Sequence, residues 1–399
     1  MTDSRTMALI DALEQGAKLT REEWRHVLTK RNKEIADVVF QKASAVRDHV
    51  YGKKIYIRGL IEFTNYCKND CYYCGIRRSA GASRYRLSKE EILSCCESGY
   101  AYGFRTFVLQ GGEDPYFTED RMEDLIRAVK SEFPDCALTL SVGEKSEKAY
   151  RKFREAGADR YLLRHETANR EHYERLHPSA QTLEHRMSCL AALKRLGFQT
   201  GAGFMVGSPY QTTECFIDDL QFLQEFRPEM VGIGPFIPHH DTPFAGEEAG
   251  SVELTLYLLA LVRLMLPCVL LPATTALGTA SENGTMKGIL AGANVVMPNL
   301  SPQNVRGKYL LYDNKRNTGL EAGESLALLK EAVSTIGYEV VTDRGEYQSL
   351  KGKKNCPEER KKEDVRSKIK TCRGFHQSRG NYGNPGLCSE EQNEQGTHW

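Results

Sequence analysis

Short apolar runs alternate with amphipathic stretches along most of the chain. An apolar run of strand length, followed by apolar positions at helical spacing, is typical of a β-strand and an α-helix that pack together. From residue 55 onward eight such runs follow one another, at residues 55–63, 105–110, 137–142, 160–166, 200–207, 230–236, 269–275 and 294–298. Eight consecutive βα units predict an α/β protein with a closed (β/α)8 TIM barrel rather than an open sheet.

The part of the chain before the first predicted strand has a helical pattern. Residues 20–23 read Thr-Arg-Glu-Glu, which is a capping box, and apolar positions at helical spacing continue through residues 38–40. The pattern predicts an N-terminal helical extension over residues 1–50, followed by a barrel domain over residues 51–345.

Residues 346–399 are mainly charged and polar and have almost no apolar periodicity. Such a segment cannot bury enough apolar surface to offset the entropy of folding, so we predict a disordered tail. Its cysteines, Cys356, Cys372 and Cys388, are spaced too widely for a typical metal site, and a role as free thiols is the simpler interpretation.

The charge balance gives no reason to expect a polyanionic partner. Lysine and arginine number 54 against 53 aspartates and glutamates, so no overall field favours nucleic acid or an anionic membrane. The first residues lack the apolar run of a signal peptide, and no stretch reaches the ~18 apolar residues of a membrane span. We therefore expect a cytoplasmic protein. In that reducing compartment, clustered cysteines indicate metal or redox chemistry rather than disulfides.

Polar residues collect directly after the predicted strands. In barrels of this kind the chemistry occurs at the carboxyl ends of the strands. The polar segments at these ends are the loop of residues 65–78, which carries three cysteines, and residues 110–113, 141–144, 164–166, 207–209, 238–242 and 274–275. We predict that these segments surround one site.

The loop after the first predicted strand reads NYCKNDCYYCGIRR, with Cys67, Cys71 and Cys74 in the spacing C-x3-C-x2-C. A structural zinc site takes four ligands, so here it would need a distant cysteine or a histidine such as His165. A cubic 4Fe–4S cluster takes one thiolate for each iron, so three cysteines leave one iron without a protein ligand. The open iron could bind a substrate. The barrel context favours the iron–sulfur interpretation, with zinc as the alternative.

With Tyr73 before its last cysteine, this loop resembles the signature of the radical S-adenosylmethionine (SAM) superfamily. In that superfamily the open iron binds SAM, and one electron from the reduced cluster cleaves SAM to a 5′-deoxyadenosyl species. The resemblance therefore implies a 4Fe–4S cluster and SAM as cofactors. A second motif resembles the one that receives the methionyl ammonium, and it consists of Gly111, Gly112 and Glu113.

Five further segments resemble the FeFe-hydrogenase maturase family HydE. They are YLLRHETAN (161–169), GAGFMVGSPYQT (201–212), MVGIGPFIPHHDTP (230–243), PATTALGT (272–279) and ANVVMPN (293–299). The resemblance implies a biotin synthase-like barrel that acts on a cysteine-bound iron carbonyl cyanide precursor during assembly of the hydrogenase H-cluster. It also implies three partners: the maturase that delivers the precursor, a scaffold GTPase, and an electron donor such as ferredoxin or flavodoxin.

The same resemblance implies roles for individual residues. Glu166 would hold the SAM ribose and Arg186 its carboxylate, with Tyr73 and Ser141 lining the same pocket. The implied substrate-binding residues are Gln110, Arg160, Arg164, Thr274, Thr275, Met297 and Tyr312. Arg164 presents a planar fork of donors that suits a carboxylate. By contrast, Arg160 could equally be a structural ion pair, and Met297 could pack in the barrel.

One departure from the family and two alternatives remain. Some family members carry further cysteines after the eighth strand for an auxiliary cluster, and the matching segment here has none, so we do not expect that cluster. Within the superfamily, a methylornithine synthase or a biotin synthase-like enzyme is the alternative. In another class, a non-catalytic iron–sulfur carrier or scaffold would explain the cysteines but not a SAM pocket.

Overall fold

The computed structural model describes residues 3–315 and 321–348. The chain divides into one unit of residues Met1–Ser349 and a second of residues Leu350–Trp399, and the description below concerns the first. All but the first three residues of the predicted tail lie outside the described residues. The predicted disorder of the tail and the predicted domain boundaries therefore stay predictions.

The described residues contain helices in the order that the amphipathic stretches predict. These helices are α1 (Ser4–Glu14), α2 (Arg21–Thr29), α3 (Lys33–Tyr51), α4 (Lys89–Ala101), α5 (Glu119–Glu132), α6 (Glu147–Glu155), α7 (Arg170–Leu176), α8 (Leu183–Arg195), α9 (Thr213–Phe226), α10 (Val252–Met265), α11 (Thr275–Ala280), α12 (Gly284–Leu290), α13 (Gln303–Arg306) and α14 (Ala322–Thr335). The predicted capping box is formed at the start of α2, where Thr20 and Glu23 each accept a hydrogen bond from the other's backbone N–H.

The strands are short. They are β1 (Lys54–Ile57), β2 (Gly59–Thr64), β3 (Thr106–Gly111), β4 (Ala137–Ser141), β5 (Arg160–Leu162), β6 (Gln199–Ala202), β7 (Met205–Val206), β8 (Met230–Val231), β9 (Gly234–Pro235), β10 (Val295–Val296) and β11 (Glu339–Val341). β1 and β2 are the two halves of the first predicted strand, which is interrupted at Arg58.

Parallel pairing joins these strands into a closed ring. One sheet runs in the order β2-β3-β4-β5-β6-β8, and β1 pairs in parallel with β10. Two isolated parallel bridges, Met230 to Leu270 and Pro272 to Val295, join β8 to β10 through the seventh predicted strand. The predicted α/β barrel is therefore confirmed.

The barrel differs from the prediction at a few positions. The seventh predicted strand forms only those two bridges, because Pro272 has no N–H to donate and Thr274 is already the N-cap of α11. The fifth predicted strand breaks into β6 and β7 at Gly203, whose φ is +153°. β11, which pairs in parallel with β1, was not predicted, since a three-residue strand gives little periodicity.

Helices α1–α3 confirm the helical pattern of the first residues, and they pack on α9 and α10 of the barrel's outer layer. α10 is buried along almost its whole length because α3 covers the side that faces away from the strands. No helix among the described residues is long and apolar enough to cross a membrane.

Candidate active site

A cavity of about 290 Å³ opens at the carboxyl ends of the barrel strands. Its walls come from the loops after β2, β3, β4, β5 and β9. The cavity brings together most of the predicted site residues, namely Cys67, Cys71, Tyr73, Cys74, Gln110, Gly111, Gly112, Glu113, Ser141, Arg164, Glu166, Arg186 and Tyr312. Side chains from at least four strand ends thus face one space, as the carboxyl-end rule predicts.

Backbone hydrogen bonds hold the cysteine loop to three neighbouring segments. The N–H of Lys68 donates to Glu113 O at 2.9 Å, that of Tyr72 to Leu176 O at 3.0 Å, and that of Gly75 to Leu311 O at 2.9 Å. The loop is therefore fixed to the barrel by contacts from distant parts of the chain, although its cysteines are neighbours in sequence.

The three thiols lie in surroundings that disfavour the free thiolate. Burial raises the pKa of Cys67, that of Cys71 to about 12, and that of Cys74 well above its usual range. Cys67 Sγ accepts a hydrogen bond from Glu113 N at 3.4 Å, and Cys71 Sγ donates to Gln181 Oε1 at 3.4 Å. Without a metal ion these cysteines remain protonated at neutral pH.

Gly112 stands where the end of β3 touches the cysteine loop. A Cβ at this position would lie 2.2 Å from Tyr66 O and 2.8 Å from Cys67 Cβ. Any other residue would therefore push the loop away from the strand. This close approach explains why a glycine precedes Glu113.

The carboxylate of Glu113 lies on the turn that follows β4. Glu113 Oε1 accepts from the N–H of Glu144 at 2.9 Å, and Glu113 Oε2 lies 3.1 Å from Lys68 Nζ. The turn needs a glycine at Gly143, because φ there is +74° and a Cβ would lie 2.3 Å from Glu113 Oε1.

Arg186, on α8, reaches the cavity between two anchors. Its Nε donates to Glu144 Oε1, and its Nη1 donates to the backbone oxygen of Arg164 at 2.6 Å. Both side chains of the pair are nearly buried, at 7% exposure for Arg186 and 10% for Glu144. The guanidinium is thus held in one plane at the cavity wall.

Glu166 and Arg164 lie next to each other in the cavity wall. Glu166 adopts a left-handed conformation, with φ at +64°, which is uncommon for a residue other than glycine. Its Oε2 lies 3.0 Å from Arg164 Nη2, but the alignment does not make a hydrogen bond. Among the described residues, these two atoms and Arg164 Nε are buried without a hydrogen-bond partner. Such groups are expected to bind a polar ligand.

Tyr73 is positioned by His177. The Tyr73 hydroxyl lies 3.3 Å from His177 Nε2, and His177 Nδ1 lies 2.9 Å from Tyr173 O. Burial lowers the pKa of His177 to about 3, so the ring is neutral at physiological pH. Because Nδ1 carries the proton that binds Tyr173 O, Nε2 accepts from the Tyr73 hydroxyl.

Gln110 and Tyr312 line the cavity, but four other predicted substrate residues do not. Thr275 and Met297 line a second cavity of about 270 Å³ that borders α14. The hydroxyl of Thr274 is used as the N-cap of α11, where it accepts from Leu277 N at 3.4 Å.

The structure places Arg160 at the opposite end of the barrel, which corrects its expected place in the site. It begins β5, and its buried guanidinium donates to Arg344 O at 3.0 Å, to Gly345 O at 3.1 Å and to Gln199 Oε1 at 3.0 Å. Glu346 lies 3.3 Å away as its ionic partner. These contacts tie the segment after β11 to the barrel floor, so Arg160 has a structural role.

Comparisons with known proteins show the family to which the chain belongs. The chain matches the family model of the radical SAM superfamily over residues 61–223. It is 44% identical to the FeFe hydrogenase maturase subunit HydE of Thermotoga maritima over 77% of this chain and 87% of that protein. The chain belongs to the radical SAM superfamily and is HydE-like. It is therefore an enzyme of that superfamily, and the alternative of a non-catalytic carrier is set aside.

Two further relatives have a different activity. The chain is 32% identical to 3-methylornithine synthase of Methanosarcina barkeri over 74% of this chain and 84% of that protein. The crystal structure of methylornithine synthase (PylB) superposes with a TM-score of 0.73 at 28% identity, over 84% of this chain and 97% of that one. The barrel architecture of this chain is thus shared with methylornithine synthase.

The residues of this radical SAM enzyme fit the cofactors that its superfamily implies. Three cysteines line the cavity, and among the described residues that line it there is no further cysteine and no histidine. His165, the histidine that a zinc site would need as its fourth ligand, does not line the cavity with the three cysteines. That ring lies outside the cavity lining, its Nδ1 accepts from Gly203 N at 3.2 Å, and its Nε2 lies 3.3 Å from Asp219 Oδ1.

The sequence did not identify two residues that contact the candidate site. Gln181, in the loop before α8, lines the cavity beside Cys71. Glu144 falls in a polar segment that the sequence marked, but nothing in the sequence indicates that it contacts Glu113 and Arg186. All three contacts join residues that are far apart in the chain, so no local signal could have shown them.

Proposed function

We propose that this enzyme cleaves SAM reductively at a 4Fe–4S cluster and acts in assembly of the FeFe-hydrogenase H-cluster, on a cysteine-bound iron carbonyl cyanide precursor. The observation that carries the proposal is the single cavity lined by three cysteines, a buried glutamate and two arginines. The identity to a HydE protein over most of both chains supports the choice of pathway.

The residues that line the cavity would have separate roles in binding the cluster and SAM. Cys67, Cys71 and Cys74 would hold the cluster, which supplies the electron that cleaves SAM when both are bound. The residues that would bind and orient SAM are Tyr73, Gly111, Gly112, Glu113, Ser141, Glu166 and Arg186. In this arrangement Glu113 receives the ammonium and Arg186 the carboxylate, because these groups have opposite charge.

Arg164 would bind the substrate. Among the described residues, the Nε and Nη2 donors of Arg164 have no hydrogen-bond partner, although Nη2 lies 3.0 Å from Glu166 Oε2. If Glu166 is committed to the SAM ribose, both donors are available for a carboxylate. Gln110 and Tyr312 border the same cavity and would contribute further contacts. Thr275 and Met297 would contribute only if the two cavities merge around a larger substrate. Thr274 lines neither cavity, and its hydroxyl would first have to leave the N-cap of α11.

We also propose the partners that this pathway implies. They are the maturase that supplies the precursor, the scaffold GTPase that receives the product, and a ferredoxin or flavodoxin that reduces the cluster. A cytoplasmic location fits these partners and stays a prediction.

Anaerobic reconstitution of the wild-type protein should give about four irons for each chain, as one cubic cluster requires. Cleavage of SAM to 5′-deoxyadenosine under reduction should follow. Cys71→Ala should lose both properties, whereas Cys95→Ala, which removes a buried cysteine of α4 outside the cavity, should keep them. Full SAM cleavage by Cys71→Ala would contradict the proposal.

A second assay separates the two activities of the relatives. The wild-type enzyme should restore hydrogenase activity in a cell-free maturation mixture that lacks its own HydE. Formation of 3-methylornithine by the reconstituted enzyme, with no effect on maturation, would favour the second candidate function. The 32% identity to 3-methylornithine synthase is the observation that keeps this candidate in view.

A further inference from the structure

Glu144 contacts two candidate SAM-binding residues at once. Its backbone N–H donates to Glu113 Oε1 at 2.9 Å, and its carboxylate accepts from Arg186 Nε. Glu113 and Arg186 line the cavity, whereas Glu144 is not among the residues that line it. Glu144 therefore lies behind the cavity wall and touches the groups that face a ligand.

The turn that carries Glu144 is fixed from both sides. The hydroxyl of Tyr161 donates to Gly143 O at 2.7 Å, and the N–H of Lys145 donates to the Tyr150 hydroxyl at 2.9 Å. A turn held in this way cannot follow a movement of Glu113 or Arg186, so it acts as a fixed reference for both.

The ion pair between Glu144 and Arg186 is largely buried. Their side chains are 10% and 7% exposed, so solvent screens the pair little. A second bond, from Arg186 Nη1 to Arg164 O at 2.6 Å, lies on the same guanidinium. Rotation of the guanidinium would break both bonds, and its orientation toward the cavity depends on Glu144.

We infer that Glu144 is a positioning residue that holds Glu113 and Arg186 in the orientation in which they receive the ammonium and the carboxylate of SAM. The inference rests on the proposed function, because it concerns how SAM is bound. A purely structural ion pair would instead affect every ligand of the cavity to the same degree. The amino acid head of SAM is the part of the ligand that distinguishes the two cases.

Two ligands that the enzyme does not cleave make the test. S-adenosylhomocysteine carries the amino acid head, whereas 5′-methylthioadenosine has the same adenosine without it. Their dissociation constants are measured by calorimetry on anaerobically reconstituted enzyme, as the wild type and as Glu144→Ala, Glu144→Gln and Glu147→Ala. Glu147 is the matched control, since it forms a surface ion pair with Arg195 and does not touch the cavity.

Glu144→Ala should weaken S-adenosylhomocysteine binding by about tenfold to a hundredfold, the scale of one charge-assisted hydrogen bond. Binding of 5′-methylthioadenosine should stay within about twofold of wild type, since it lacks the charged head. Glu144→Gln should give an intermediate loss for S-adenosylhomocysteine, because its amide oxygen still accepts from Arg186 but without the charge. Glu147→Ala should match the wild type for both ligands.

Equal losses for both ligands would overturn the inference, because Glu144 would then act on the whole scaffold. Unchanged S-adenosylhomocysteine binding would overturn it too, since Glu144 would then have no effect on the head of the ligand. Tighter binding would likewise overturn it, since Glu144 would then compete with the ligand for Arg186. If Glu144→Ala does not retain its cluster, the two dissociation constants of Glu144→Gln test the inference, because glutamine keeps the size of the side chain. A wild type that neither binds S-adenosylhomocysteine nor cleaves SAM would overturn the proposed function itself.

Discussion

Replacing Gly112 with alanine should impair cluster binding, although the substitution adds only one methyl group. The new Cβ would lie 2.2 Å from Tyr66 O and 2.8 Å from Cys67 Cβ, where ordinary contacts begin at 3.4 Å. Both neighbours are close to the main chain and cannot rotate away. The cysteine loop must therefore move from β3 by about 1 Å at Tyr66.

The cost of this movement follows from the contacts that it disturbs. The bond from Lys68 N to Glu113 O, at 2.9 Å, and the bond from Glu113 N to Cys67 Sγ, at 3.4 Å, both cross the same junction. Loss of the two bonds costs about 1 kcal/mol each, and the steric strain adds about 1 to 3 kcal/mol. A total of roughly 3 to 5 kcal/mol corresponds to a loss of about 150-fold or more in cluster affinity.

The assay is the iron and sulfide content of each chain after reconstitution, followed by challenge with a chelator. Gly112→Ala should lose its cluster at chelator concentrations that leave the wild type intact. Gly307→Ala is the matched control, because its φ is −69° and a Cβ there meets nothing within 4 Å. A Gly112→Ala protein with wild-type cluster retention and SAM cleavage would refute the reasoning.

Three other predictions follow from the site and the tail. Arg164→Lys should keep the cluster and SAM affinity, but its rate of substrate-dependent 5′-deoxyadenosine formation should fall about ten- to a thousandfold, because lysine lacks the guanidinium fork. A loss of SAM binding together with this rate would contradict the role in substrate binding. Removal of residues 350–399 should leave iron content and SAM cleavage near normal, and loss of iron would implicate the tail cysteines. In cluster-free protein, the rate of Cys71 alkylation, followed by mass spectrometry, should keep rising about tenfold for each pH unit beyond pH 8.5, because burial raises the pKa of Cys71 to about 12. A rate that levels off near pH 8.5 would instead indicate an ordinary thiol.

Some of the site could be predicted because its signals are local. The three cysteines lie within a single loop, and the alternation of predicted strands and helices places that loop at the carboxyl end of the first strand. Arg164 and Glu166 both fall within the fourth predicted strand, residues 160–166, yet β5 ends at Leu162. Both side chains still face the cavity, because the left-handed conformation of Glu166 brings it beside Arg164.

Arg160 shows where the sequence did not suffice. It lies four positions before Arg164, a separation of about 13 Å along an extended chain, and the two arginines end at opposite ends of the barrel. The resemblance to HydE named both as substrate residues. Only the packing of the segment after β11 shows that Arg160 is bound by backbone oxygens at the floor.

Local sequence patterns were enough to predict the eight strand segments of the barrel, the N-terminal helices, the capping box at Thr20 and the cysteine motif, because each depends on residues a few positions apart. Which residues meet depends on the tertiary structure: the Glu144 carboxylate meets the Arg186 guanidinium, and the backbone of Gly112 closely approaches the backbone of Tyr66. These contacts depend on how strands and loops distant in the chain are brought together when the barrel closes. Closure of the ring is a property of all eight strand positions at once, and no short stretch of sequence encodes it.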